Sequence, residues 1–152
     1  MDFIDPLWSF AAEWKVRILA LIIIANMLLA VRLYGLMAKM RFKAAKEGRV
    51  TVDTYRATQN EPEDVAVFNR AVSNQFESPV LFYALVIMAM ALGVTSWITV
   101  VLAAVYVTFR WLHAAEMTGP HDVMKRRQLF IRSITTLMVL MAEVAISTLL
   151  KA

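Results

Sequence analysis

From Ser78 to Phe109 the chain carries no charged residue. As one helix this stretch would measure about 48 Å at ~1.5 Å per residue. The hydrocarbon core of a bilayer is only ~30 Å thick. The stretch must therefore fold back on itself. The natural place is Gly93-Val94-Thr95-Ser96, where a glycine precedes β-branched and hydroxyl residues and Trp97 follows as an interfacial anchor. A helical hairpin inside a membrane results, its arms near 70–93 and 97–117.

Two further apolar segments flank the hairpin. One runs over about 16–37, interrupted by Asn26 and Arg32 and preceded by Trp8 and Trp14. The other runs over about 130–150 and holds a single acid, Glu143. The chain reads as an all-α integral membrane protein with a four-transmembrane-helix bundle as its single domain. The N-terminal segment has no basic leader and no small-residue cleavage site, so it reads as a retained span. With 60% hydrophobic residues in 152, a soluble globule could not hide its apolar surface. There is no cysteine, which excludes disulfides, thiolate metal sites and cysteine nucleophiles.

The net charge is +4 and the pI near 9.6. In a membrane protein this basic excess marks cytoplasmic loops, and no nucleic-acid partner is expected. Lys39, Arg41, Lys43, Lys46, Arg49 and Arg56 lie between the first two spans, in a loop of about 38–69, with Arg70 at its far edge. Lys125, Arg126 and Arg127 lie in a second loop of about 118–129, with Arg132 at its edge. The other side holds only Lys15, Arg17 and Lys151. Both loops are expected in the cytoplasm and both termini outside. Within the first loop, Asn60-Glu61-Pro62-Glu63-Asp64 reads as a helix start, from which one helix can run through Arg70 into the second span.

Charges inside spans cost ~2.5 kcal/mol or more and need reasons. Arg32 can snorkel to the headgroups. Arg70, Asn74 and Glu77 are spaced four and three apart and share a helical face. Two readings stand: a surface ion-pair ladder, or a polar stripe that faces another helix or subunit and holds a polar ligand. Pro79 follows and frees a carbonyl near Gln75. Arg110, His113 and Glu116, each three apart, again share one face, near the cytoplasmic end of the third span. Arg132 and Ser133 open the fourth, as a snorkelling base beside a helix-compatible hydroxyl or as a pair aimed at an anion or thiol. Glu143 has no evident partner on its own helix. His113 and His121 are the only histidines, and no metal-ligand motif joins them.

Four spans, two basic loops and above all Arg70-Ala71-x-x-Asn74-x-x-Glu77 resemble the MAPEG family, the membrane-associated proteins of eicosanoid and glutathione metabolism. The resemblance covers roughly Val16 to Leu150. It implies a homotrimer that binds glutathione, or a similar thiol, between subunits at the cytoplasmic side. It implies thiol binding by Arg70, Asn74, Glu77, Arg110 and His113. Ile131-Arg132-Ser133 resembles the start of the fourth helix in the prostaglandin-synthase branch, which makes Arg132 and Ser133 the expected catalytic pair beside the sulfur. Met117 and Thr136 stand where relatives often carry Tyr. The loop from Gly119 to Arg132 reads as longer than in those relatives, so Arg126 or Arg127 could take the role of Arg132.

The expected protein is a glutathione-dependent transferase or peroxidase acting on apolar electrophiles or lipid peroxides, with membrane lipids and an apolar small molecule as further partners. The resemblance looks like that of a bacterial member, so a bacterial inner-membrane location is expected, with periplasmic termini. The alternative is a non-catalytic scaffold or lipid-binding protein of the same fold. A small multidrug-type transporter is disfavoured, because the first span has no acid to couple protons to a cation.

Overall fold

The computed structural model describes residues 5–57, 60–119 and 122–151, with side chains from residue 13 onward except that of Ala57. Trp8, expected at the interface, therefore has its side chain outside the described residues, and His121 lies outside them altogether. Every described element is helical. In chain order they are α1 (Asp5–Lys46), α2 (Val52–Ala57), α3 (Glu63–Ser73), a 3₁₀ turn (Asn74–Phe76), α4 (Ser78–Leu92), α5 (Trp97–Thr118) and α6 (Val123–Lys151). Four helical stretches are long and apolar enough to cross a membrane: Glu13–Lys46, Glu63–Leu92, Trp97–Thr118 and Val123–Lys151.

The hairpin turn forms where the uncharged stretch required it. Gly93 closes α4 in the left-handed region, with φ 63° and ψ 32°, which an L side chain adopts only at a cost. Ser96 then caps α5. Its hydroxyl accepts from the Thr99 N–H at 3.0 Å, while the Thr99 hydroxyl accepts from the Ser96 N–H at 2.9 Å. Other helices fasten this turn. Lys15 of α1 donates to the Thr95 carbonyl at 3.0 Å. Lys151 of α6 donates to the carbonyls of Leu92 at 2.6 Å and Gly93 at 3.1 Å.

Glu143 is not without partners. It accepts from the Ser96 hydroxyl at 2.6 Å, from Thr99 at 3.0 Å and, on its own helix, from Ser147 at 3.4 Å. The acid thus joins α6 to the capped start of α5, which satisfies a carboxylate that lipid would penalise.

Three spans differ in extent from the sequence reading. Helix α1 continues to Lys46, because nothing between Met37 and Lys46 breaks it. Helix α6 begins at Val123, because the Asp122 carboxylate accepts the N–H groups of Met124 and Lys125, both at 3.0 Å. The connection before α6 is therefore short, and Lys125, Arg126 and Arg127 are helical. The second span is not one continuous helix: α3 tightens into a 3₁₀ turn, and Glu77 leaves helical geometry at φ −100°, ψ −106° before α4 restarts. Pro79 accounts for the break: it cannot donate to the Gln75 carbonyl four residues back and its ring crowds that carbonyl, so the helix stops and restarts with Pro79 in the first turn of α4.

Two apolar clusters hold the bundle. Leu19, Phe82, Val86, Tyr106 and Leu140 centre one nearer the hairpin turn, with the Phe82 and Tyr106 rings stacked at 4.5 Å. Leu29, Leu33, Ala71, Val72, Ala114 and Met117 form the other, towards the basic loops. The second cluster packs α1, α3 and α5 together and so fixes the faces from which the polar residues project.

Candidate functional site

At the basic end, α3 presents Arg70, Ser73 and, through the 3₁₀ break, Asn74 and Glu77. Helix α5 brings His113 and Met117 to the same place, and α6 brings Arg126. Together with Glu63 these residues line a cavity of about 610 Å³. Arg70 and Glu77 form no ion pair with each other, so the surface-ladder reading of their spacing does not hold. Both are exposed and open to a ligand. Asn74 is steadied by its amide, which donates to the Met117 sulfur at 3.4 Å. His113 is 5% exposed and packs against Phe130 with ring centres 5.7 Å apart.

Arg110 stands behind this lining, fully buried. One terminal nitrogen donates to the Asn74 carbonyl at 2.7 Å; among the described residues Nε and Nη1 have no partner. Next to it the Ser78 and Tyr106 hydroxyls pair at 3.1 Å, and Asn26 donates to the Tyr83 hydroxyl at 2.8 Å. Arg110 thus grips the backbone at the point where the second span breaks. Glu116, on the same face, serves the connection to α6 instead. It pairs with Lys125 at 2.7 Å and accepts the Asp122 N–H at 3.3 Å, closing that short segment. Arg32 lies over the Trp111 ring at 5.7 Å.

The residues expected from sequence are brought together in part. Arg70, Asn74, Glu77 and His113 share the cavity. Arg110 abuts it without lining it. Arg132 is exposed on α6 and outside the lining, and the Ser133 hydroxyl is buried, donating to the Phe130 carbonyl of its own helix at 2.7 Å. Arg126 takes the place that faces the cavity within one chain. Glu63 and Ser73 were not singled out from sequence, although the signal was there: Glu63 precedes Arg70 by two helical turns, and Ser73 follows it by one. Among the described residues no group of three or more His, Asp or Glu side chains could hold a metal ion.

In chemical terms the cavity offers two guanidinium groups, two carboxylates, an amide and a hydroxyl at the end of a membrane bundle. Such a set holds a zwitterionic polar molecule by charge-assisted hydrogen bonds. The chain matches the model of the MAPEG family over residues 18–146. No curated protein and no solved structure matches it.

Proposed function

The chain belongs to the MAPEG family, whose members generally use glutathione, and we propose that it is a membrane-bound glutathione-dependent transferase or peroxidase acting on apolar electrophiles or lipid peroxides. The observation that carries this reading is the mixed-charge cavity. Glutathione has two carboxylates and one ammonium. Arg70 and Arg126 complement the former, Glu77 and Glu63 the latter, and Asn74 both donates and accepts. The cavity also falls in the range of ~300–1,000 Å³ common for small-molecule sites.

A bound thiol supplies the nucleophilic sulfur. The chain's own residues hold the peptide portion and place a guanidinium where positive charge favours the thiolate. Arg126 is the arginine of the chain's own cavity. Arg132 with Ser133 is the pair to which the family resemblance gives the same role, and the exposed position of Arg132 makes it available to a neighbouring copy. An apolar substrate reaches such a site from the bilayer, so the gain comes from bringing together two reactants of different solubility.

A homotrimer with the thiol between subunits is part of the proposal. Glu77 and Phe76 are both exposed at the start of an apolar helix. A carboxylate there is costly against lipid and better covered by protein. The basic loops support a cytoplasmic placement of the cavity with both termini on the outer side; a bacterial inner membrane, with periplasmic termini, is part of the same proposal.

A second reading keeps one specific observation in its favour. Met117 lines the cavity and Thr136 donates to the Arg132 carbonyl at 2.8 Å, at the two positions where a phenol would be expected. A non-catalytic scaffold or lipid-binding protein would need neither phenol. Titration of the purified full chain with glutathione, followed by thiolate absorbance in the ultraviolet, tests both readings. A saturable thiolate signal with turnover supports the enzyme; saturable binding without thiolate or turnover supports the scaffold; no binding overturns the thiol site. Arg70→Ala or Glu77→Ala should weaken binding about ten- to a hundredfold, the loss of one charge-assisted contact. Arg126→Ala compared with Arg132→Ala decides which guanidinium favours the thiolate.

A further inference from the structure

Helix α1 leaves the expected span at Met37 and runs nine residues further, to Lys46, which is about 14 Å at ~1.5 Å per residue. On this extension a second cleft opens, of about 410 Å³, lined by Met37, Ala38, Arg41, Phe42, Ala45 and Tyr55. Its walls are almost wholly apolar. The roof comes from α2, whose Tyr55 donates its hydroxyl to the Arg41 carbonyl at 3.1 Å and lies under the Arg41 guanidinium at 5.1 Å. Arg41 is itself neutralised by Glu61 at 2.7 Å. The cleft is therefore a fixed feature, built by tying the polar segment back onto α1.

Its surroundings have the opposite character. Phe42 is 77% exposed, although it stands on the wall of an apolar cleft. Lys39 and Lys46 lie three residues before and four after Phe42, on the same helical face. Both are exposed, and neither makes an ion pair among the described residues. Lys43 adds a third ammonium, held only loosely by Glu47 at 3.9 Å. An apolar slot rimmed by exposed lysines, at the point where a helix leaves the membrane, complements a molecule with a hydrocarbon chain and an anionic head.

We infer that this cleft is a binding site for an acidic phospholipid of the surrounding bilayer, with acyl chain against Phe42, Ala38 and Ala45 and phosphate between Lys39 and Lys46. The lipid anchors the α1 extension and the α2 segment to the membrane surface. It is separate from the thiol cavity and shares no lining residue with it.

The test uses the full chain purified in mild detergent and titrated with phosphatidylglycerol or phosphatidylcholine, with bound lipid counted by native mass spectrometry. Wild type is expected to retain phosphatidylglycerol preferentially. The double variant Lys39→Gln/Lys46→Gln is expected to lose about thirtyfold in affinity, since each lysine beside an anionic headgroup contributes about fivefold. Phe42→Ser should weaken binding of the long-chain lipid but not of a short-chain analogue with the same head. All three side chains are exposed, so the folded state tolerates these changes. Equal retention of the two lipids, or variants that bind like wild type, overturns the site. So does dissociation of an oligomer by Phe42→Ser, which would show that a second copy covers the cleft.

Discussion

Arg110 carries the sharpest conflict between placement and cost. A buried guanidinium in a spanning helix is expensive, and among the described residues it makes a single bond, to the Asn74 carbonyl. That bond fixes the backbone which carries Asn74 and Glu77 into the cavity. Arg110→Met should therefore lower glutathione affinity about tenfold, although the side chain lines no part of the cavity. Hydrogen exchange over Asn74 to Glu77 should rise in the same variant; unchanged exchange and affinity would show that the arginine positions nothing. Sequence spacing placed Arg110 on the right face but could not show its depth, because depth depends on how α5 packs against the broken second span. Glu143 behaves in the same way. Its main partners, Ser96 and Thr99, precede it by 47 and 44 residues, so no pattern local to α6 reveals them. Glu143→Leu should cost about 1–2 kcal/mol in thermal or denaturant unfolding, because it removes the carboxylate that accepts from the Ser96 and Thr99 hydroxyls and ties α6 to the start of α5.

Among the elements, the second span departs most from a simple helix, and its departure creates the site. A straight helix would carry Arg70, Asn74 and Glu77 as a plain stripe. The 3₁₀ turn and the non-helical Glu77 bring that stripe against α5. Pro79 was legible as a disturbance; the extent of the break was not, since it rests on Arg110 and on the packing of Gln75, whose amide donates to the Ala71 carbonyl at 3.3 Å. Pro79→Ala should let α3 and α4 join more regularly and weaken thiol binding while the spans persist, a combination that circular dichroism and the glutathione titration together would detect. The start of α6 escaped the sequence reading for a different reason. Lys125, Arg126 and Arg127 look like loop residues beside an apolar segment, yet the Asp122 cap starts a helix just before them and aims Arg126 at the cavity. Asp122→Ala should cost about 1 kcal/mol and raise amide exchange at Met124 and Lys125.

At the scale of the whole molecule, four spans and one hairpin turn were legible because an uncharged stretch of that length has few physical solutions. Orientation and assembly are decided by experiment. Reporter fusions after Arg49 and Lys125 should read cytoplasmic and one at Ala152 external, and native mass spectrometry should show three copies. The hairpin turn also bears on how the chain is made. It carries no charge of its own, so it can enter the bilayer as a neutral tip. Its fastening comes from Lys15, which emerges 80 residues before Thr95, and from Lys151, which emerges 58 residues after Gly93. At ~5–20 residues per second, a ribosome needs roughly 3–12 s between the glycine and the second lysine. Until α6 emerges with Glu143 and then Lys151, the tip is held from one side only, so membrane insertion of the hairpin and its final locking are separate events in time.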